Sequence, residues 1–196
     1  MNSNIANPKA LGFGVFAIAL WMFSLAHAGL IHPMRIDPAT MNQVMTLATL
    51  GLLIAGIMAF LRREGWLAFF FLLWAGLAWG SSHGVGHAGG MGPGDTRFDA
   101  WFAIAITLVN LYLWFAAIKS RKLGGAVSFT LLLLWISMLF MGLQAFIHGA
   151  WVLGRISGAV GLAAAVVAFY VSAGTLAHDH CPNMNLPCIP KNDNVV

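Results

Sequence analysis

The stretch 41–61, MNQVMTLATLGLLIAGIMAFL, decides the fold of this chain. It runs for 21 residues without a charged side chain, and Arg62, Arg63 and Glu64 follow it at once. A transmembrane helix needs about 20 consecutive apolar residues. Lipid accepts only helices or closed barrels, because it holds no water to satisfy the backbone. The stretch lacks the period-two alternation of a strand, and it therefore predicts a membrane-spanning helix.

Similar apolar runs precede and follow this one. Charges, prolines or glycines bound each run, and the predicted spans are 11–31, 41–61, 66–84, 98–118, 126–148 and 151–176. A capping residue followed by proline begins two of these helices, at Asn7-Pro8 and at Asp37-Pro38. The sequence thus predicts an all-α integral membrane protein with six transmembrane helices. Its parts are an N-terminal segment at 1–10, a transmembrane domain at 11–176 and a tail at 177–196.

The composition excludes most other classes of protein. Of the 196 residues, 60% are hydrophobic and 8% are charged, whereas a soluble domain averages about 25% charged residues. A cytosolic enzyme and a disordered chain are therefore excluded. Two cysteines cannot form the disulfide framework of a small secreted protein. The formal net charge of +4 indicates membrane topology rather than a nucleic-acid partner, because the charges lie in short loops.

Lysine and arginine are divided unequally between the two sides of the predicted bundle. With the N-terminus inside, seven of the ten lie on the inner side, and the outer side holds Arg35, Arg97 and Arg155. Since basic residues favour the cytoplasmic side, we expect both termini in the cytoplasm. The membrane expected is the inner, cytoplasmic membrane of a prokaryote.

An internal repeat with a constant offset of 86 residues links the two halves of the chain. The tetrapeptide FAIA at 16–19 recurs at 102–105, and Gly56 corresponds to Gly142. Three spans per repeat is an odd number, so the halves must be inverted with respect to each other. Inverted 3+3 repeats are an architecture of transporters and channels, with the site between the halves.

The predicted membrane interior is neutral. No Asp, Glu, Lys or Arg lies deep in any predicted span, whereas pumps and cation pathways normally hold such a group there. A passive pore or a weakly coupled carrier is therefore favoured. Most buried serines and threonines are expected to bond to their own helix or to let helices pack closely. Asn110 and Gln144 differ, because an unpaired amide is costly in lipid, and each is expected to face the bundle interior or a pore.

Two regions of the predicted bundle are candidate binding elements: the start of the first helix and an apolar constriction deeper inside. The free N–H groups at the helix start near Asn7 would stabilise a small carboxylate, and Gly12 and Gly14 would let a ligand or a neighbouring helix come close. The alternative is an ordinary helix start. Deeper in the bundle, an apolar constriction that selects by size could be formed by Phe16, Trp74 and Leu131.

Histidines suggest a second kind of function. Four of them lie toward the outer ends of the odd-numbered spans: His27, His83, His87 and His148. They could hold a metal ion or a haem, although loop histidines at an interface are the commoner case. The spacing of ligand atoms in the tail, from His178 to Cys188, fits no standard zinc pattern. The alternative function is therefore a non-transporting subunit of a larger membrane complex.

The opening motif resembles that of a known family. Residues 7–13, NPKALGF, resemble the N-P-A-P-L-G signature of the YaaH-type acetate uptake transporters, the succinate–acetate permeases. Weaker similarities are GLAW at 76–79 to the end of that family's helix-three motif, 158–174 to its last helix, and 186–187 to a tail L-P. The resemblance implies six-helix subunits, assembled as hexamers in the lipid membrane, that pass acetate and related small carboxylates. We expect no covalent chemistry and no cofactor.

The resemblance also implies a narrow point made by a Phe, a Tyr and a Leu. Phe16 and Leu131 match the first and third of these, while the tyrosine position falls at Ala75, beside Trp74. The stretch 67–73, LAFFFLL, replaces residues that are rich in Gly, Thr and Ser in the family. This change would admit a smaller or neutral species, such as a protonated acid, or would close the path. The candidate substrate and pore residues are Asn7, Pro8, Leu11, Gly12, Phe16, Trp74, Ala75, Asn110, Leu131 and Gln144.

Overall fold

The computed structural model of the chain describes residues 6–31, 37–82, 96–120, 124–147, 150–180 and 186–187. These residues form six α-helices and no strand. The helices are α1 (Pro8–His27), α2 (Pro38–Leu61), α3 (Gly65–Ser82), α4 (Thr96–Ser120), α5 (Gly125–Phe146) and α6 (Trp151–His180). Each predicted span overlaps one of them, so the all-helical fold class is confirmed.

Five of the six helices are long and apolar enough to cross a membrane, which makes the chain an integral multi-pass membrane protein. The exception is α3, whose apolar part, Gly65–Gly80, is shorter. The predicted caps are present at two helix starts. Asn7 Oδ1 accepts a hydrogen bond from Lys9 N at 3.1 Å, and Asp37 Oδ1 accepts one from Ala39 N at 3.2 Å.

Two helix ends, those of α1 and α6, differ from the predicted ends by four residues. The first helix ends at His27 rather than at residue 31, because Gly29 adopts a left-handed φ of 71°. Leu30 N then donates to Leu25 O at 3.2 Å, which closes the helix end. The sixth helix continues to His180 rather than ending at 176, since its polar last turn contains no proline or glycine to stop it.

A tight hairpin connects α2 to α3. Arg63 has a φ of 62°, and Glu64 N donates to Ala59 O at 2.9 Å, so the end of α2 is closed by a left-handed residue other than glycine. Arg62 Nε and Glu64 Oε1 form an ion pair at 3.2 Å. The hairpin is short enough to force α2 and α3 to lie antiparallel.

The helices pack in the spatial order α3, α2, α1, α6, α5, α4. The central pair is α1 and α6, which come from opposite ends of the chain. Backbone atoms of His27 and Ala28 occupy the place that a side chain at Gly158 would need, and Ser172 Oγ donates to Ala10 O at 2.6 Å. The two outer helices, α3 and α4, are joined by a hydrogen bond of 3.3 Å from Trp66 Nε1 to Leu113 O.

Hydroxyl groups inside the bundle are satisfied locally or between helices. Thr49, Thr107 and Thr130 each donate to the carbonyl four residues earlier, at 2.8–2.9 Å. Ser137 and Ser157 exchange hydrogen bonds between α5 and α6, since each Oγ donates to the other residue's carbonyl at 2.9 and 2.8 Å. The expectation that most buried Ser and Thr serve helix structure and packing is confirmed for these residues.

A candidate substrate cavity and its aromatic floor

The two ends of the bundle differ in what they contain. Consecutive helices alternate in direction, so α1, α3 and α5 begin at one end, which we call the N-face, near Pro8, Gly65 and Gly125. Toward the N-face, aromatic rings of α1 and α3 pack against one another. A cavity of about 550 Å³ occupies the region from the middle of the bundle toward the opposite face.

Five helices line this cavity, and their lining residues are apolar. None of the lining residues carries a charged or titratable side chain. They are Phe16, Ala19, Leu20 and Phe23 of α1, Met45 and Leu52 of α2, Leu72, Leu73, Trp74, Gly76, Leu77, Ala78 and Gly80 of α3, Phe102, Ala103 and Ile106 of α4, and Met138 and Met141 of α5. Such a space suits a small ligand with an apolar body.

Aromatic rings form the floor of the cavity. We call this cluster the aromatic plug, and its members are Phe13, Phe16, Trp66, Phe70, Phe71 and Trp74. Neighbouring ring centroids lie 5.0–6.4 Å apart, which is the range of favourable offset and edge-to-face contacts. Phe70 touches all the other members and is completely buried. The phenylalanine-rich stretch of α3 thus contributes Phe70 and Phe71 to the floor of the cavity.

Two of the three residues predicted to form a constriction, Phe16 and Trp74, are in contact. The rings of Phe16 and Trp74 meet edge to face at 5.0 Å, and both residues line the cavity. Leu131 is completely buried and belongs to the same core cluster as Phe16, but it is not among the cavity-lining residues. Ala75 is also buried behind the lining rather than facing the cavity.

The predicted binding element at the start of α1 is occupied by protein. The ring of Phe71 lies where a side chain at Gly12 would be, and Ser172 Oγ lies 2.8 Å from the corresponding point at Gly14. The two glycines thus let neighbouring helices approach, which is one of the two uses predicted for them. Pro8 is buried, and Leu11 is 39% exposed. Neither residue lines the cavity.

The two predicted amides lie in different surroundings. Asn110 is completely buried in α4, and its Nδ2 donates to Ile106 O at 3.0 Å. Gln144 is half-buried near the end of α5, where its side-chain amide packs against Gly154 of α6. Neither residue is among those that line the cavity.

His27 and His180 each bond to a carbonyl of their own helix. His27 Nδ1 donates to Phe23 O at 3.0 Å, and the two rings lie 4.2 Å apart. Among the described residues, no group of three or more His, Cys, Asp or Glu side chains is placed to hold a metal ion. The other three predicted candidates, His83, His87 and His148, lie outside the described residues, as do the two cysteines.

Several lining residues were not predicted from the sequence. Met45, Met138 and Met141 face the cavity, as does Phe102. The sequence of an apolar helix does not distinguish the residues that line a cavity from the residues that pack in the core. The internal repeat was the one available signal, because Phe102 corresponds to Phe16 at the offset of 86, and both residues line the cavity.

Comparison with known proteins agrees with this architecture. No family model matches the sequence, and no curated protein matches it. The structure is similar to the solved structure of the bacterial acetate channel SatP, with a TM-score of 0.82 and 15% sequence identity. The superposition covers 94% of this chain and 99% of that one. This chain has the fold of that channel.

Proposed function

We propose that this chain forms a membrane channel or transporter that passes acetate-like small monocarboxylates. The observation that carries the proposal is the similarity, over 94% of the chain, to an acetate channel. The cavity adds support, because it ends on the ring pair of Phe16 and Trp74, where size would be selected. The proposed role of the protein is to hold and select the solute, without covalent chemistry.

The orientation proposed for the bundle follows from its basic residues. Lys9, Arg62, Arg63 and Lys119 lie at the N-face, whereas Arg155 lies near the other end, stacked 4.6 Å from the ring of Trp151. Since basic residues favour the cytoplasmic side, the N-face is cytoplasmic in our proposal, and the cavity opens toward the outer side. The proposed membrane is the prokaryotic inner membrane, and the halves are a proposed inverted repeat.

An assembled homo-oligomer, a hexamer by the family resemblance, is also proposed. Large apolar side chains cover the outside of the bundle, among them Phe60, Trp101 and Tyr112, each more than 60% exposed. Lipid or further copies of the chain would cover such a surface. The mass of the purified protein in mild detergent would separate a monomer from a hexamer.

Acetate uptake into proteoliposomes tests the main proposal. Radiolabelled acetate is added with and without a pH gradient, and protein-free liposomes give the baseline, because undissociated acid also crosses lipid. We expect uptake clearly above that baseline and faster when the gradient favours entry of acid. Uptake that equals the baseline under both conditions would contradict the proposal.

A further inference from the structure

The side chain of Asn110 leaves one polar atom unpaired in the interior of the bundle. The residue is completely buried, and its Nδ2 donates to Ile106 O at 3.0 Å. Its Oδ1 has no hydrogen-bond partner among the described residues. The orientation of the amide is fixed by the first contact, because a flipped amide would place two acceptor oxygens against each other. The free atom is therefore an acceptor.

Helix structure does not account for this unpaired acceptor. Thr107 and Thr130 are also buried in the bundle, and each gives its hydroxyl proton to its own helix. An unpaired carbonyl oxygen in an apolar interior is costly, and an apolar residue of similar size would avoid that cost. The position is thus one where a ligand with a hydrogen-bond donor would be stabilised.

Asn110 lies on α4 one turn beyond the cavity wall, in the direction of the N-face. On α4, Ile106 lines the cavity and Leu113 accepts the hydrogen bond of Trp66. Asn110 lies between them, about 6 Å along the helix from Ile106 and about 4.5 Å from Leu113. At the cavity floor, Trp74 Nε1 is a buried donor that also lacks a partner among the described residues. The cavity floor and the adjoining turn of α4 thus hold one unpaired donor and one unpaired acceptor.

These two atoms match one form of a carboxylic acid and not the other. An undissociated acid has an O–H donor and a carbonyl acceptor, whereas a carboxylate has acceptors only and would be repelled by Asn110 Oδ1. No lining residue carries a positive charge that would offset the burial of an anion. We propose that Asn110 is a binding residue that selects the neutral form of the substrate, accepting the O–H of an undissociated short-chain acid. This inference rests on the proposed function and specifies its substrate.

The titratable groups of the surrounding elements lie at helix ends, on the outside of the bundle or, for Glu64, in the α2–α3 hairpin, where it pairs with Arg62. Neither α5, which packs against α4, nor α3, which is joined to it by Trp66, carries a titratable side chain. On α4, Tyr112 and Lys119 are exposed, and Arg97 and Asp99 belong to its first turn. On α1, the titratable residues Lys9 and His27 lie at its two ends. Any pH dependence of binding at Asn110 must therefore come from the acid.

Equilibrium binding to the purified full-length protein tests the inference with three probes. Saturation-transfer NMR in detergent measures the apparent affinity for acetic acid, acetamide and methyl acetate from pH 6 to pH 8. We expect the affinity for total acetic acid to fall about tenfold per pH unit, because the undissociated fraction falls by that factor. Acetamide, a neutral N–H donor, should bind equally at all pH values. Methyl acetate, which has no donor, should bind about tenfold more weakly than acetamide.

Two variants test whether the preference for a ligand with a hydrogen-bond donor arises at Asn110. Asn110→Leu should abolish the preference for acetamide over methyl acetate, while Thr107→Val, on the same helix and equally buried, should retain it. If Asn110→Leu folds poorly, the measurements on the wild-type protein still test whether the neutral acid is selected. Acetate affinity that is constant from pH 6 to pH 8, or equal affinity for acetamide and methyl acetate, would overturn the inference.

The outcomes separate this inference from the proposed function. Acetate flux through proteoliposomes together with pH-independent binding would overturn the role of Asn110 and leave the channel function standing. Donor-dependent binding at Asn110 without flux would overturn the channel function and support the site.

Discussion

The rings of Phe16 and Trp74 meet edge to face, with centroids 5.0 Å apart and planes inclined at 72°. Phe16 is 1% exposed, and its ring also contacts Phe70 at 5.3 Å. The pair is therefore the part of the aromatic plug that faces the cavity. In the proposed channel, a solute that leaves the cavity toward the N-face would pass these rings.

Replacement of Phe16 by alanine should open the floor of the cavity. We expect Phe16→Ala to raise acetate flux in proteoliposomes about fivefold, which corresponds to a barrier lower by about 1 kcal/mol. The matched control is Phe69→Ala, since Phe69 is 49% exposed on the outside of α3. Equal flux in wild type and Phe16→Ala would remove Phe16 from the constriction.

Filling the cavity should have the opposite effect. Ala103 lines the cavity and is 3% exposed, whereas Ala105, two residues along α4, is exposed. Ala103→Leu should lower acetate flux about fivefold or more by narrowing the route. Ala105→Leu should leave the flux unchanged. If the two variants behave alike, the cavity does not lie on the route.

The close contact of α1 and α6 at Gly158 should not tolerate a side chain. A Cβ there would meet backbone atoms of His27 and Ala28, which cannot move aside as a side chain can. Gly158→Ala is expected to destabilise the protein by about 1–3 kcal/mol through overpacking. Thermal unfolding in detergent measures this. Gly76→Ala is the control, because its Cβ would meet open space, and it should be neutral or stabilising by up to about 1 kcal/mol.

The exchanged hydrogen bonds of Ser137 and Ser157 should couple α5 to α6. Ser137→Ala and Ser157→Ala should each destabilise the protein by about 0.6–1.7 kcal/mol, because each removes one hydroxyl that donates to a backbone carbonyl of the neighbouring helix. Thermal unfolding in detergent measures the loss. The control is Ser128→Ala, whose hydroxyl donates to Gly124 O near the start of its own helix. Stability losses no larger than that of Ser128→Ala would show that these hydrogen bonds do not hold α5 to α6.

The fold was largely predictable, because the lipid environment leaves few choices. Long uncharged runs such as 41–61 can only be helices, and Asn7 and Asp37 marked two helix starts that the structure confirms. The end of α1 was harder to predict, since the helix is ended by the left-handed backbone conformation of Gly29, which hydropathy does not reveal. The end of α6 was not predicted, because the helix continues to His180 whereas its apolar run ends at residue 176.

The site was less predictable than the fold. Phe16 and Trp74 were expected at one constriction and are in contact, but Leu131 and Ala75 lie behind the lining. Hydropathy cannot tell which apolar face of a helix meets a cavity, a neighbouring helix or lipid. Asn110 could be singled out from the sequence because an amide is rare in such an apolar helix. The sequence could not predict that its Oδ1 is unpaired, because this depends on the hydrogen bond of its Nδ2 to Ile106 O, which is seen only in the structure.

The central position of α1 and α6 has a consequence for biosynthesis. Residues near 10 and 172 must meet before either helix completes its packing. A chain that emerges from the ribosome N-terminus first leaves one face of its earliest helix without its partner until the last helix is made. Truncation before α6 should therefore leave a nascent protein exposed to membrane quality control, even though most of its helices are already inserted.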